Sequence, residues 1–253
     1  MTNLNDKIAL ITGAGQGVGQ GIALAMAKAG ASVVVTGRSP EKLDETCHLI
    51  AERGGTARAM TANVKSIEDI ARIVADTVAQ FGGLDILVNN AQEVPLGMLA
   101  DVSDEAFVAG FESGPLATLR LMKAARPHLA ARGGGVIFNL VSSAMIRWDM
   151  AGYGAYAAVK QAIGSLTRAA AAEWGSDNIR VLNIAPHAES PGMKWWIANN
   201  PEEAKAFFKT IPLGHVGKCE DDIGAAVLAL CAPEMHYLTG ATIPLDGGQA
   251  YFA

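Results

Sequence analysis

Two side chains four residues apart could share proton chemistry. If residues 154–174 form a helix, Tyr156 and Lys160 lie one turn apart on the same face. A nearby ammonium group favours the phenolate, so Lys160 should lower the pKa of Tyr156 from its usual value of about 10. Tyr153 is a rival phenol, but Ala157 stands four residues after it. The Tyr156/Lys160 pair predicts proton transfer to or from an alcohol oxygen.

A serine precedes this pair at the end of a predicted strand. Ser143 follows the apolar run 136–140 and stands thirteen residues before Tyr156. Its hydroxyl could hydrogen-bond the same substrate oxygen and polarise a carbonyl. A tyrosine and a lysine at this spacing are common on helices that have no catalytic role, so the serine adds specificity. Ser143, Tyr156 and Lys160 are the candidate catalytic residues.

A glycine-rich segment lies between the first predicted strand and the first predicted helix. Such a loop allows the backbone to approach a pyrophosphate, and the helix N-terminus supplies N–H donors. The placement favours a dinucleotide site over an ordinary turn. The predicted cofactor contacts in this loop are Gly13, Gln16, Gly17, Val18 and Gly19.

The residue after the second predicted strand bears on cofactor choice. An acidic residue near this point usually binds the ribose 2′-hydroxyl of NAD. Here the sequence has Gly37 and Arg38 instead, and an arginine can bind a 2′-phosphate with two N–H groups. This favours NADP, with NAD as the second possibility. Arg38 could instead be a solvated arginine at the start of a helix.

Short apolar runs alternate with longer amphipathic segments along the chain. The runs are nearly continuous, as in strands buried on both faces. The alternation predicts an α/β fold with a doubly wound parallel sheet and helices on both faces, in one domain spanning 1–253. The predicted strands are 8–12, 32–36, 57–60, 85–88, 136–140, 179–184 and 241–245. The predicted helices are 17–29, 40–53, 67–81, 115–131, 154–174 and 220–231.

The composition excludes several classes of protein. Of the 253 residues, 50% are apolar and 18% are charged, which does not suit a disordered chain. The net charge of −5 argues against a nucleic-acid partner, and the absence of long apolar runs argues against a membrane one. Three scattered cysteines and five histidines predict no metal site. Without a secretory pattern at the start, we expect a cytoplasmic protein.

Taken together, these motifs resemble the short-chain dehydrogenase/reductase family from end to end. The residues that carry the resemblance are Thr12–Gly19, Asn89-Asn90-Ala91, Ser143, Tyr156, Lys160, Asn183-x-x-Pro186 and Asp246-Gly247-Gly248. The resemblance implies a seven-stranded Rossmann sheet and hydride transfer between NAD(P) and a ketone or secondary alcohol. It also implies a homotetramer or homodimer.

The same resemblance adds further cofactor contacts. Lys160 should also bind the nicotinamide ribose, and Asn90 should lie beside the cofactor. The turn at Pro186 should flank the nicotinamide. Asn63 stands where an aspartate commonly contacts the adenine, and Val64 follows it.

Besides Asn63, three positions depart from the family pattern. Gln92 replaces a glycine after Asn-Asn-Ala, and His187 replaces a glycine after Pro186. Many members carry a helix asparagine that holds a relay water, and that position falls at about Gly114. If the backbone near Gly114 holds this water instead, Gly114→Asn should fold and keep activity, because an exposed helix position tolerates either residue. These departures leave a second reading open, a catalytically degenerate NAD(P)-binding sensor or scaffold.

A long segment at about 187–212 follows the sixth predicted strand. Ligands bind at this edge of such sheets, and loops of this length are often lids. We expect an apolar or aromatic substrate to lie between this flap and the residues after Ser143, although the flap's aromatic side chains could simply pack on the body. The predicted substrate contacts are Gln92, Met145, Trp148, His187, Met193 and Trp196.

Overall fold

The protein folds around one parallel sheet of seven strands. A computed structural model describes residues 2–147, 149, 151–250 and 252. The strand order is β3-β2-β1-β4-β5-β6-β7, with every neighbouring pair parallel. The strands are β1 Ile8–Thr12, β2 Ser32–Gly37, β3 Thr56–Thr61, β4 Ile86–Asn89, β5 Gly135–Leu140, β6 Ile179–Pro186 and β7 Thr242–Leu245.

Helices connect these strands. They are α1 Gly17–Lys28, α2 Pro40–Glu52, α3 Ile67–Phe81, α4 Asp104–Phe111, α5 Ala117–Ala131, α6 Gly154–Trp174, α7 Pro191–Asn199, α8 Pro201–Phe208 and α9 Ala225–Leu230. Short π-helical turns at Glu112–Leu116 and Cys219–Gly224 lead into α5 and α9. No helix among the described residues is both long and apolar enough to cross a membrane.

Both faces of the sheet are covered, which explains the continuous apolar strands. Successive strand side chains point to opposite faces. Ala9 and Ile11 belong to one buried cluster, whereas Leu10 between them belongs to the other. The same division separates Val33 from Val34. The predicted doubly wound α/β fold with a seven-stranded parallel sheet is confirmed.

The sheet also determines where a ligand can bind. Chain order runs outward from β1 to β3 on one side and from β4 to β7 on the other. In sheets of this kind the connections diverge at such a point and leave a crevice beyond the carboxyl ends of the strands. The glycine-rich loop after β1 and the segment after β4 both lie at this crevice.

Candidate active site

Helix α6 places Tyr156 and Lys160 together, as the spacing predicts. The Lys160 Nζ lies 5.4 Å from the centroid of the Tyr156 ring. Lys160 is only 4% exposed, and its Nζ donates a hydrogen bond of 2.6 Å to the Leu140 carbonyl at the end of β5. Because burial penalises the ammonium, the pKa of Lys160 falls to about 7. The lysine is therefore poised to exchange a proton near neutral pH.

The pKa of Tyr156 moves in the direction opposite to our expectation from sequence. Burial raises it to about 12, and a hydrogen bond with the Ser142 side chain only partly opposes this effect. The expected lowering by Lys160 does not appear, because the buried lysine loses much of its own charge near pH 7. At neutral pH the Tyr156 phenol consequently carries its proton and can act as an acid.

Two adjacent serines follow β5, and they face different surroundings. The Ser142 hydroxyl contacts Tyr156 and also accepts a hydrogen bond of 3.2 Å from the Ala144 N–H. Ser143 begins a short 3₁₀ turn, and its carbonyl accepts from the Ile146 and Arg147 N–H groups. From the sequence we selected Ser143, and that choice stays a prediction. Ser142 was not singled out, and its only signal was its place beside Ser143 at the end of an apolar strand.

The glycine-rich loop has the backbone shape that a phosphate site requires. Gly13 and Gly17 adopt positive φ angles of 66° and 61°, which favour glycine. The Asn90 Nδ2 donates hydrogen bonds of 3.0 Å to the Thr12 and Gly13 carbonyls, so it holds the loop against the end of β4. At Gly19 a Cβ would lie 2.5 Å from that Nδ2. A side chain there would fill the space that the loop needs.

The start of α1 suits an anion. Its N-cap residue, Gln16, makes no side-chain cap, and the first turn contains no acidic residue. The first N–H groups therefore remain available to a pyrophosphate. Val18 packs partly buried against the core beneath this turn. Gln16 instead accepts a hydrogen bond of 2.6 Å from the Lys42 Nζ.

Further predicted cofactor contacts follow β2 and β3. The Asn63 Oδ1 accepts a hydrogen bond of 3.1 Å from the Lys65 N–H, and the Asn63 N–H donates to Asp69 at 2.8 Å. Val64 is buried. Arg38, directly after β2, is exposed, and its guanidinium contacts Glu93. Sequence reasoning singled out neither Lys65 nor Glu93.

The flap after β6 forms two helices and carries an aromatic cluster. The His187 and Trp196 rings both contact Phe207, with centroid distances of 5.2 and 5.5 Å. Burial lowers the pKa of His187, and its Nδ1 is buried without a hydrogen-bond partner among the described residues. Trp195 is 66% exposed and lies outside this cluster. At Gly17 a Cβ would contact the Pro191 Cδ at 3.4 Å, so the flap begins beside the glycine-rich loop.

Three further predicted substrate contacts, and Pro186, which was predicted beside the nicotinamide, lie in different settings. Met145 packs on α6, where its Cε lies 3.1 Å from the Cβ position of Gly164. Met193 is half-buried on α7, and Pro186 ends β6 beside Leu245 of β7. Trp148 lies outside the described residues.

Comparisons with known proteins agree with this architecture. A family model described as "Enoyl-(Acyl carrier protein) reductase" matches residues 13–250. The 12alpha-hydroxysteroid dehydrogenase of Clostridium sp. is 35% identical over 251 residues, covering 96% of each protein. The dehydrogenase/reductase SDR family member 4 of Caenorhabditis elegans is 34% identical, with 96% of this chain and 94% of that protein covered. The chain belongs to the short-chain dehydrogenase/reductase family.

A solved structure from this family shows the same fold with ligands bound. It is a 7 alpha-hydroxysteroid dehydrogenase in complex with NADH and 7-oxo glycochenodeoxycholic acid. It superposes with a TM-score of 0.92 at 31% identity, covering 98% of this chain and 96% of that one.

Within this short-chain dehydrogenase/reductase, two of the departures from the family pattern contact each other. A Cβ at Gly114 would lie 3.3 Å from the Gln92 Nε2 and 2.6 Å from the Val159 Cγ1. Gly114 is therefore buried in the π-helical turn, and our expectation of an exposed position that tolerates asparagine is wrong. Both polar atoms of the Gln92 side chain are buried without a partner among the described residues. The missing side chain at Gly114 makes room for Gln92.

Proposed function

We propose that this protein is an NADP-preferring oxidoreductase that transfers hydride between the cofactor and a ketone or secondary alcohol. The observation that carries the proposal is the position of the buried Lys160, whose Nζ lies 5.4 Å from the centroid of the Tyr156 ring. The fit of the glycine-rich loop to a pyrophosphate and the cations near Arg38 support the choice of cofactor. The catalytically degenerate alternative has no comparable observation in its favour.

Each group in this mechanism has a defined task. When bound, reduced NADP supplies the hydride that adds to the carbonyl carbon. Tyr156 donates its proton to the carbonyl oxygen, which becomes the alcohol oxygen, and the phenol becomes a phenolate. Ser142 or Ser143 holds that oxygen with a hydroxyl hydrogen bond. Lys160, which exchanges a proton near pH 7, returns a proton to the phenolate.

The cofactor contacts follow from the crevice. The loop residues Gly13, Gln16, Gly17, Val18 and Gly19 would hold the pyrophosphate, and Asn90 supports them. Asn63 and Val64 would contact the adenine, and Arg38 the 2′-phosphate. Lys160 and Tyr156 would hold the nicotinamide ribose, with Pro186 beside the ring.

The substrate that we propose is a bulky apolar ketone. The cluster of His187, Trp196 and Phe207 offers an aromatic wall, and Met145 and Met193 supply adaptable apolar contacts. The Gln92 side chain contributes a buried carboxamide that could form hydrogen bonds with a polar substrate group or a water. Because two relatives are hydroxysteroid dehydrogenases, a steroid ketone is a suitable first probe.

A single substitution tests the proposal. Tyr156→Phe keeps the ring and removes the proton, so turnover of NADPH with a ketone panel should fall by about 10²–10⁴-fold. NADPH binding, measured by fluorescence titration, should persist. Tyr153→Phe is the matched control, because the Tyr153 ring packs edge-on against Tyr156 with 6.3 Å between the centroids, and this variant should stay nearly fully active.

Two results would count against the proposal. Near-normal turnover of Tyr156→Phe would remove the tyrosine from the mechanism. A wild-type protein that binds NADPH but reduces no ketone, and oxidises no alcohol at high pH, would favour the non-catalytic alternative.

A further inference from the structure

One carboxylate joins two cations across the cofactor crevice. The Glu93 Oε1 lies 3.0 Å from the Arg38 Nη1, and the Glu93 Oε2 lies 3.2 Å from the Lys65 Nζ. Each carboxylate oxygen thus has a cation of its own. No catalytic or core-packing role described above accounts for this arrangement.

The three residues reach this point from different strands. Arg38 directly follows β2, Lys65 stands four residues beyond β3, and Glu93 stands four residues beyond β4. In the strand order β3-β2-β1-β4, strand β1 separates the two cations from Glu93. The ion pairs therefore cross the carboxyl end of β1, where the glycine-rich loop begins. A dinucleotide bound on that loop lies next to this bridge.

The backbones are fixed, whereas the side chains can exchange partners. The Glu93 N–H donates to the buried Ser113 Oγ at 3.0 Å, and the Lys65 carbonyl accepts from the Arg120 Nη1 at 3.2 Å. The Arg38 side chain is 70% exposed, and those of Glu93 and Lys65 are about one-third exposed or less. Ion pairs at such exposure contribute little stability, so a stronger anion can replace the carboxylate at small cost.

We propose that Arg38 and Lys65 form a 2′-phosphate site and that Glu93 is its internal competitor. A phosphate monoester near pH 7 carries a charge of about −1.5 to −2 and three acceptor oxygens, so it outcompetes a carboxylate for two cations. A ribose 2′-hydroxyl carries no charge and leaves the bridge intact. Glu93 therefore reduces affinity for NADP specifically and narrows the preference over NAD. This inference rests on the NADP preference proposed above.

The test uses two nucleotides that differ only at the 2′ position. Adenosine 2′,5′-bisphosphate and 5′-AMP are titrated into the purified protein by calorimetry. Glu93→Gln keeps the shape and removes the charge, so it should bind the bisphosphate about tenfold tighter and 5′-AMP within twofold of wild type. Lys65→Met should weaken only the bisphosphate, by about fivefold or more. Lys65→Arg keeps the positive charge and should retain the wild-type affinity for the bisphosphate.

A matched control separates local competition from overall charge. The Arg126–Asp177 ion pair, at 2.9 Å, is also partly exposed but comes from α5 and the turn after α6. Asp177→Asn removes one negative charge, as Glu93→Gln does, and should change neither affinity. Thermal melting of each variant confirms that it is folded.

The outcomes separate this inference from the proposed function. If wild type prefers the bisphosphate and Lys65→Met loses that preference, but Glu93→Gln binds like wild type, Glu93 is no competitor and the NADP preference stands. If Glu93→Gln tightens both nucleotides equally, the competition model fails as well. If wild type does not distinguish the nucleotides and Arg38→Met changes nothing, the NADP preference itself is wrong.

Discussion

At the scale of single residues, burial drives the two titrating groups of the site toward their neutral forms. The pKa of Lys160 falls to about 7 and that of Tyr156 rises to about 12. Neither has a charged hydrogen-bond partner among the described residues. A neutral phenol is the form that reduction of a carbonyl needs, whereas oxidation of an alcohol needs the phenolate. We therefore expect reduction to tolerate neutral pH and oxidation to speed up as pH rises.

The two serines after β5 give a sharp test at this scale. Ser142→Ala removes the hydroxyl that contacts Tyr156, so ketone reduction should fall by about 10²-fold or more, the usual loss for one oxyanion donor. Ser143→Ala should cost less than tenfold. The measurement is kcat with a good ketone, with NADPH affinity as the control for folding. The reverse order of losses would restore Ser143 as the substrate-binding serine.

Sequence alone could identify the residue types of the site but could not choose between these serines. The Tyr156/Lys160 spacing is a property of one helix, and helical geometry fixes it. Adjacent residues leaving a strand point in different directions, so the choice depends on where β5 ends and how the turn begins. In the structure Ser142 is the N-cap of a 3₁₀ turn that begins at Ser143, so the two hydroxyls start from different backbone positions.

At the scale of elements, the sheet was predictable and the α4–α5 segment was only partly so. Apolar runs predicted six of the seven strands to within a few residues. The weaker strand predicted at 57–60 lies within β3, whose residues are mostly exposed or half-buried. No helix was predicted at α4, although Ser103 caps it by accepting a hydrogen bond from the Ala106 N–H. The helix predicted at 115–131 includes Pro115, whereas α5 begins at Ala117. In the structure Pro115 lies inside a π-helical turn, which accommodates its missing N–H between the two helices.

The π-helical turn at Glu112–Leu116 supports a prediction about Gly114 and Gln92, the two neighbouring positions that depart from the family pattern. Gly114→Asn forces a side chain into the space of Gln92 and Val159, so the melting temperature should fall by several degrees, as about 1–3 kcal/mol of overpacking implies. Adding Gln92→Gly should recover part of this loss, because it removes one of the two clashing side chains. Gln92→Gly alone provides the third corner of the double-mutant cycle. Strictly additive effects would show that the two positions do not share this space.

At the scale of the whole molecule, long-range contacts combine side chains that no sequence pattern connects. A chain of buried hydrogen bonds crosses four strands and α6, and its members are Asn89, Asn139, Thr167, Asn183 and Thr242. The ion pairs of Glu93 with Arg38 and Lys65 likewise depend on the order of β2, β3 and β4 in the sheet. Composition and periodicity predicted the strands themselves, but such partners depend on the strand order and on the path of each loop.

The buried lysine makes the stability of the whole chain depend on pH. In the unfolded chain Lys160 keeps its proton up to about pH 10.5, whereas in the folded chain it loses that proton near pH 7. Between these values the unfolded chain binds more protons, so the free energy of unfolding should rise as pH increases from about 7 to about 10.5. Below pH 7 both states hold the proton, and the contribution of Lys160 levels off. Lys160→Met removes this dependence. The difference in the free energy of unfolding between wild type and Lys160→Met should change by up to about 1.4 kcal/mol per pH unit. Urea denaturation at pH 7, 8 and 9 measures it, with exposed Lys28→Met as the control. Parallel pH profiles for wild type and Lys160→Met would mean that Lys160 keeps its proton in the folded chain, and the lowering of its pKa by burial would be wrong.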